Sequence, residues 1–282
     1  MSIHKRELDA RLTLMDSAQA FHWNEHNGCY SAICAGRPIA LIEQGDVWRV
    51  EGDEEAARRY FDLDSCYEEI CAGLEWLPQA AQAVRRLPGL RLLQQDVWEA
   101  TLAFICSANN NTARIRTLVL QLCRDYGEHY FQDGLEFCGF PVPERLAQVP
   151  ESELREKKFG YRAAYLIKTA RMVAQGHPIA DAARLPYDEA KRLLMALPGV
   201  GGKVADCVLL FGCGHKEAFP VDVWVERLLR CWCGIEEKNR EKAALRAREK
   251  FGPNAGVIQQ YLFHCARCGL ISLEETEKTE RE

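Results

Sequence analysis

Between residues 185 and 230 the chain carries a break that limits how it can fold. Pro186 suits a helix entry, Asp188 and Glu189 place acidic charge in the first turn, and Ala190 to Ala196 continue the helix. Leu197-Pro198-Gly199-Val200-Gly201-Gly202 then interrupts the pattern, and Lys203-Val204-Ala205-Asp206-Cys207 resumes it. Two helices joined by so short a Gly-rich turn form a helix-hairpin-helix, expected at about 188–213. Glycines let backbone N–H groups face an anion, and the next helix start adds positive potential. The turn residues Gly199, Val200, Gly201 and Gly202 thus suit a phosphate. A plain αα-hairpin whose Pro-Gly only reverses the chain satisfies the same spacing.

Two residues near this break carry candidate chemistry. Lys203 begins the second helix, where the dipole opposes positive charge. A lysine with a pKa of ~10.4 is about 0.1% neutral at pH ~7.4, a penalty of roughly 4 kcal/mol. Placement at a helix start, with desolvation, lowers that penalty and favours a nucleophilic amine. Cys207 lies one turn along the same face and would line the same pocket. Asp222, in Phe219-Pro220-Val221-Asp222-Val223-Trp224-Val225, precedes an apolar-periodic run. That is the place of an N-cap, and a carboxylate held there stays ionised and fixed, able to stabilise a cationic centre or accept a proton. Taken singly, Lys203 reads first as a surface lysine and Asp222 first as a cap.

The rest of the chain sets the frame. Residues 28–50 read as short β-rich runs separated by Ala35-Gly36 and Gly45-Asp46, an antiparallel meander. From about residue 54 the pattern becomes helical. The expected class is α+β, an N-terminal antiparallel sheet unit packed on a larger helical body. Its expected divisions are 1–95 for the sheet unit with helices, 96–272 for the body and 273–282 for a charged tail. Thirteen cysteines follow a start without the apolar core of a signal peptide, so reduced thiols are expected rather than disulfides. Cys265-Ala-Arg-Cys268 and Cys231-Trp-Cys233 lack a second pair to complete four metal ligands, and no metal is expected. A net charge of −5 argues against a protein that coats nucleic acid but leaves room for a local basic face.

Leu197-Pro-Gly-Val-Gly-Gly-Lys203 followed by Pro220-Val-Asp222 resembles the signature of the helix-hairpin-helix DNA glycosylase superfamily, and lysine at that position resembles its bifunctional members. Within it the chain is most similar to 8-oxoguanine DNA glycosylases of the eukaryotic type and their prokaryotic relatives, over about residues 12 to 270. Phe104 to Arg114, with Asn109-Asn110-Asn111, resembles the segment that contacts the cytosine left unpaired, which places those roles on Asn109 and Arg114. Gly160-Tyr161-Arg162-Ala163 matches the element that wedges the duplex, with Tyr161 filling the vacated stack and Arg162 reading the orphan base. Gln259 and Phe263, four apart, resemble the helix that closes the base pocket; the resemblance implies a purine between Cys207 and Phe263 with Gln259 on its edge. On the residues alone, the three asparagines also suit a helix cap and Phe263 also suits a core.

The resemblance implies a bifunctional glycosylase and AP lyase. It would excise 8-oxoguanine from duplex DNA, preferentially opposite cytosine, by base flipping, Schiff base formation through Lys203 with help from Asp222, and β-elimination. Alternatives are a superfamily glycosylase for another damaged purine and a non-catalytic DNA-binding module. The expected partner is double-stranded DNA containing oxidised guanine, with no membrane, for a monomer in the cytoplasm or at a nucleoid. No cofactor is expected, beyond a monovalent or divalent cation that the hairpin is able to hold. Two departures stand out. Ala18 falls where the family has a Gly whose carbonyl accepts the oxidised base's N7–H, and Trp224 stands in place of a phosphate-contacting His. Cluster ligands of the endonuclease III type are absent.

Overall fold

The computed structural model describes residues 1–74 and 76–273. Apart from Leu273, the charged tail expected at 273–282 lies outside the described residues. The N-terminal strands are β1 (Ser2–His4), β2 (Asn24–His26), β3 (Cys29–Cys34), β4 (Arg37–Gln44) and β5 (Val47–Gly52). They form one antiparallel sheet in the order β1-β5-β4-β3-β2. The expected meander is the centre of this sheet. Tyr30 faces Leu41 and Leu41 faces Val50, so one buried row crosses three strands. The two edge strands, three residues each, are too short for their alternation to register in the sequence. Between them Leu12–Asp16 winds as a π-helical turn, a rare form that recurs at functional sites.

Thirteen helices follow among the described residues. α1 (Glu54–Tyr60), α2 (Tyr67–Ile70) and α3 (Pro78–Arg86) lead out of the sheet. The body comprises α4 (Val97–Ser107), α5 (Thr112–Tyr126), α6 (Pro143–Ala147), α7 (Glu151–Glu156), α8 (Arg162–Ala174), α9 (Tyr187–Met195), α10 (Gly202–Gly212), α11 (Val223–Cys233), α12 (Arg240–Phe251) and α13 (Ala255–Arg267). Side-chain caps fix several starts: Asp53 accepts from Ala56 N at 2.9 Å, Asp96 from Trp98 N at 2.8 Å and Asn111 from Arg114 N at 2.9 Å. Apolar α4 is buried from Val97 to Cys106 and forms the axis around which the body packs.

One element departs from the helical reading after residue 54. β6 (His129–Gln132) and β7 (Leu135–Cys138) form an antiparallel hairpin between α5 and α6. Asp133 and Gly134 turn it at φ of 52° and 78°, the left-handed pair that a tight hairpin demands. The hairpin lies against the sheet, where Ile33, Ala40, Leu135 and Phe137 share a small apolar cluster and Ser31 Oγ donates to Glu136 O at 2.6 Å. It thereby ties the sheet to the body. No helix among the described residues is long and apolar enough to cross a membrane.

Candidate active site

The helix-hairpin-helix is present as α9, a turn and α10. Gly199 has a φ of 82°, and a Cβ there would lie 2.7 Å from Tyr165, so glycine is required on both counts. Thr169 Oγ1 donates to Pro198 O at 2.9 Å and anchors the turn to α8. Gly201 is the N-cap of α10 and offers no side chain to the first-turn N–H groups, which are left for an outside acceptor. Buried Val200 packs the turn inward while Gly201 stays exposed.

Behind the turn lies a polar network that the sequence pattern did not reveal. Asp206, on the inner face of α10, accepts from Tyr187 Oη at 2.5 Å and pairs with Lys191 Nζ at 3.0 Å. Lys191 also pairs with Glu241 at 2.6 Å. Burial pushes the Asp206 carboxyl up to about 6, with Lys191 opposing the shift. The available signal was an aspartate embedded in the apolar run Val204 to Leu210. Its partners are too distant in sequence to be read from it.

Lys203 and Asp222 meet at one small cavity. Ala18, Phe104, Cys207, Gln259 and Phe263 also line it, so four helices and the segment after the π-turn converge there. Lys203 Nζ stands 3.4 Å from Ser107 Oγ and 5.5 Å over the Phe104 ring. Asp222 caps α11 by accepting Val225 N at 2.9 Å, so capping and facing the pocket are compatible. Cys207 is buried, and desolvation lifts its thiol to about 11 against the pull of Lys203. It is a neutral, polarisable wall.

Gln259 is only 4% exposed, and its Oε1 has no hydrogen-bond partner. A buried acceptor without a donor is costly unless a ligand completes it. The cavity measures about 50 Å³, little more than one water at roughly 30 Å³ of liquid volume.

The residues assigned to the orphan base form a second group. The three asparagines divide their tasks: Asn111 caps α5, and Asn110 Nδ2 bonds Cys106 O at 3.0 Å. Exposed Asn109 is held left-handed at a φ of 48°. Exposed Arg114 donates to Lys158 O at 2.8 Å. Tyr161 is 45% exposed and bonds Ala108 O at 2.9 Å. Arg162, expected to offer its fork to a base, is 6% exposed and spends Nε and Nη2 on the carbonyls of Ala108 and Asn109. In the DNA-free chain it fixes the loop that carries Asn109. Ala18 sits at a φ of 61°, the left-handed region that glycine favours. Trp224 is partly exposed, with the Arg227 guanidinium 5.7 Å from its ring.

Among the described residues, one trio has metal-ligand proximity: His129, Glu136 and Cys138, on the β6–β7 hairpin and outside the cavity lining. There the Arg124 guanidinium already holds Glu136 through two contacts of 2.7 Å.

Comparison with known proteins shows the family. Residues 102–254 match the HhH-GPD superfamily base excision DNA repair protein family, and residues 1–101 match the 8-oxoguanine DNA glycosylase N-terminal domain. An N-glycosylase/DNA lyase of Saccharomyces cerevisiae is 34% identical over 206 residues, 68% of this chain and 54% of that protein. A probable N-glycosylase/DNA lyase of Methanothermobacter thermautotrophicus is 35% identical over 204 residues, 65% of each chain. The match thus spans less than two thirds of these relatives' lengths. The 8-oxoguanine glycosylase/lyase of Clostridium acetobutylicum, solved with DNA containing cytosine opposite 8-oxoG, superposes with a TM-score of 0.84. It is 31% identical, with 92% of this chain and 91% of that one covered. The chain belongs to the HhH-GPD superfamily of base excision DNA repair proteins, in its 8-oxoguanine DNA glycosylase branch.

Proposed function

We propose that this protein is a bifunctional DNA glycosylase and AP lyase that removes 8-oxoguanine from duplex DNA, preferentially opposite cytosine. The observation that carries the reading is the single cavity shared by Lys203, Asp222, Cys207, Gln259, Phe263 and Ala18. An amine, a carboxylate, an unpartnered amide and an aromatic ring around one small cavity form a nucleophile beside a base pocket.

In the proposed reaction the turn at Gly199 to Gly202 takes a backbone phosphate, and Tyr161 fills the gap in the stack. Asn109 and Arg114 take the orphan cytosine, and Arg162 holds their loop. The extruded purine lies between Cys207 and Phe263, where Gln259 Oε1 gains the donor it lacks. Neutral Lys203 Nζ attacks C1′, forming the N–C1′ bond as the C1′–N9 bond breaks and the base departs with a proton. Asp222 stabilises the developing cationic sugar. Ring opening gives a Schiff base, loss of a C2′ proton expels the 3′ phosphate, and water releases the lysine. The chemistry uses the chain's own lysine and carboxylate, and the partner is duplex DNA bound by a monomer in the cytoplasm, nucleoid-associated if the cell is prokaryotic.

The test is single-turnover excision on 8-oxoguanine opposite cytosine and opposite adenine, with product ends resolved. Borohydride should trap the parent on DNA and fail to trap Lys203→Gln. Persistent trapping in that variant would remove Lys203 from the mechanism. The Cβ that Ala18 carries where the related glycosylases have glycine motivates a second reading, a shifted lesion range, and formamidopyrimidine or alkylated purine duplexes in the same assay decide it.

A further inference from the structure

Every residue flanking Ala18 is held by a side chain from elsewhere in the chain. Gln260, 3% exposed, donates from Nε2 to Ser17 O at 2.8 Å. Arg267 donates from Nη2 to Asp16 O and from Nη1 to Thr112 Oγ1 at 3.0 Å. Its guanidinium also lies 5.4 Å from the ring centre of Phe263. On the other side, Gln95 Nε2 donates to Gln19 O at 2.9 Å, and Gln19 in turn receives Leu93 N at 2.9 Å. The Ala18 carbonyl accepts no hydrogen bond among the described residues, although Ala18 lines the cavity.

A left-handed alanine is disfavoured because its Cβ crowds the carbonyl oxygen. It persists where surrounding structure over-determines it. On the N-terminal side of Ala18 the restraint comes from one helix. α13 carries Gln259 and Phe263 toward the base and, beside each, a residue that reaches the π-turn or its neighbours: Gln260 next to Gln259, and Arg267 one turn beyond Phe263. Two consecutive carbonyls, Asp16 and Ser17, are pinned immediately before the strained residue, and Arg267 extends the same tie to the start of α5, just past Asn109–Asn111.

We infer that Gln260 and Arg267 are positioning residues for lesion reading, holding Ala18 left-handed so that its unpaired carbonyl is fixed against the incoming base. The inference rests on the proposed excision of an oxidised purine, whose N7–H is the donor that this carbonyl would take. The pair substitutes for the freedom of a glycine at position 18. Gln260 also lines the cavity, but neither side chain hydrogen-bonds Lys203 or Asp222, so the pair acts on discrimination between bases rather than on the sugar chemistry.

The experiment uses the full chain. Duplexes carrying 8-oxoguanine or 8-methoxyguanine, which lacks the N7–H, are bound opposite cytosine by Lys203→Gln protein, alone and combined with Gln260→Leu or Arg267→Met. Each added substitution should cut the 8-oxoguanine preference about tenfold, equal to about 1.4 kcal/mol. Arg267→Lys, which keeps a donor for Asp16 O, should retain most of it. With Lys203 intact, cleavage at a preformed abasic site, where there is no base to read, should follow the parent. Adding Ala18→Gly should shrink the penalty of either change, because glycine needs no restraint to be left-handed. An unchanged preference in the variants overturns the inference. Equal loss of preference and abasic-site cleavage also overturns it, by making the role merely structural. A parent with no 8-oxoguanine preference and no excision overturns the proposed function itself, and this inference with it.

Discussion

Asp222 Oδ1 accepts the Val225 N–H at 2.9 Å while the same carboxylate lines the cavity with Lys203. One residue therefore starts α11 and faces the cavity, and its capping separates by substitution from the role proposed for it there. Asparagine keeps an acceptor for Val225 N and removes the charge. Asp222→Asn should unfold within about 0.5 kcal/mol of the parent, whereas Asp222→Ala should lose about 1 kcal/mol. Excision should collapse in both, measured in single turnover beside urea unfolding. Parent-like excision by the asparagine variant would reduce Asp222 to a cap.

Gln259 presents the opposite balance. Its Oε1 is buried without a donor, a penalty that the free protein bears and a bound base would relieve. Gln259→Leu should raise the stability of the DNA-free chain by ~1 kcal/mol and abolish selective base binding. Thermal melts with and without lesion duplex check both signs. A destabilised DNA-free variant would count against the idea that this amide waits for a ligand.

Two hairpin glycines should differ sharply when replaced by alanine. At Gly199 the backbone is left-handed and the new Cβ meets Tyr165 at 2.7 Å, so Gly199→Ala should lose about 2–3 kcal/mol. At Gly202 the nearest obstacle is the Glu241 carboxylate, the end of a flexible side chain. Gly202→Ala should cost less than about 1 kcal/mol, through the Lys191–Glu241 contact it displaces. Denaturant midpoints of the two variants give the order directly.

Stability should fall at both ends of the pH range for separable reasons. Burial raises the Glu99 carboxyl to about 8, so its contribution is complete below about 4.5 and lost as pH rises through 8. Burial holds the His22 imidazole down to about 3, so its contribution is complete above about 6.5 and lost as pH falls toward 3. Glu99→Gln, which keeps an acceptor for Ala35 N, should flatten the alkaline limb and leave the acid limb in place. Unfolding free energies from pH ~4 to ~9 test this. An alkaline limb that survives the change would acquit Glu99.

Local signals carried the parts of the fold that depend on neighbours in sequence. The Gly-rich break and the Asp222 cap are each written within a dozen residues and the meander within residues 28–50, and the structure has them. The β6–β7 hairpin escaped the helical reading although Asp133-Gly134 advertised it, because its four-residue strands are too short for periodicity to register. Arg162 shows a different limit. Sequence order placed it beside Tyr161 at the DNA-facing wedge, but burial depends on carbonyls more than fifty residues away. The Lys191–Asp206–Glu241 network and the Gln260 and Arg267 ties fail for the same reason. Each joins segments that only tertiary packing brings together.

The cavity draws its walls from opposite ends of the chain. Ala18 belongs to the N-terminal unit, whereas Lys203 and Asp222 belong to the helical body. The left-handed carbonyl at Ala18 therefore comes from one stretch of sequence, and Lys203, Asp222, Cys207, Gln259 and Phe263 from another. Exchange of the N-terminal unit among relatives would renew only the Ala18 edge of this space, so the two stretches are free to vary separately around one shared wall.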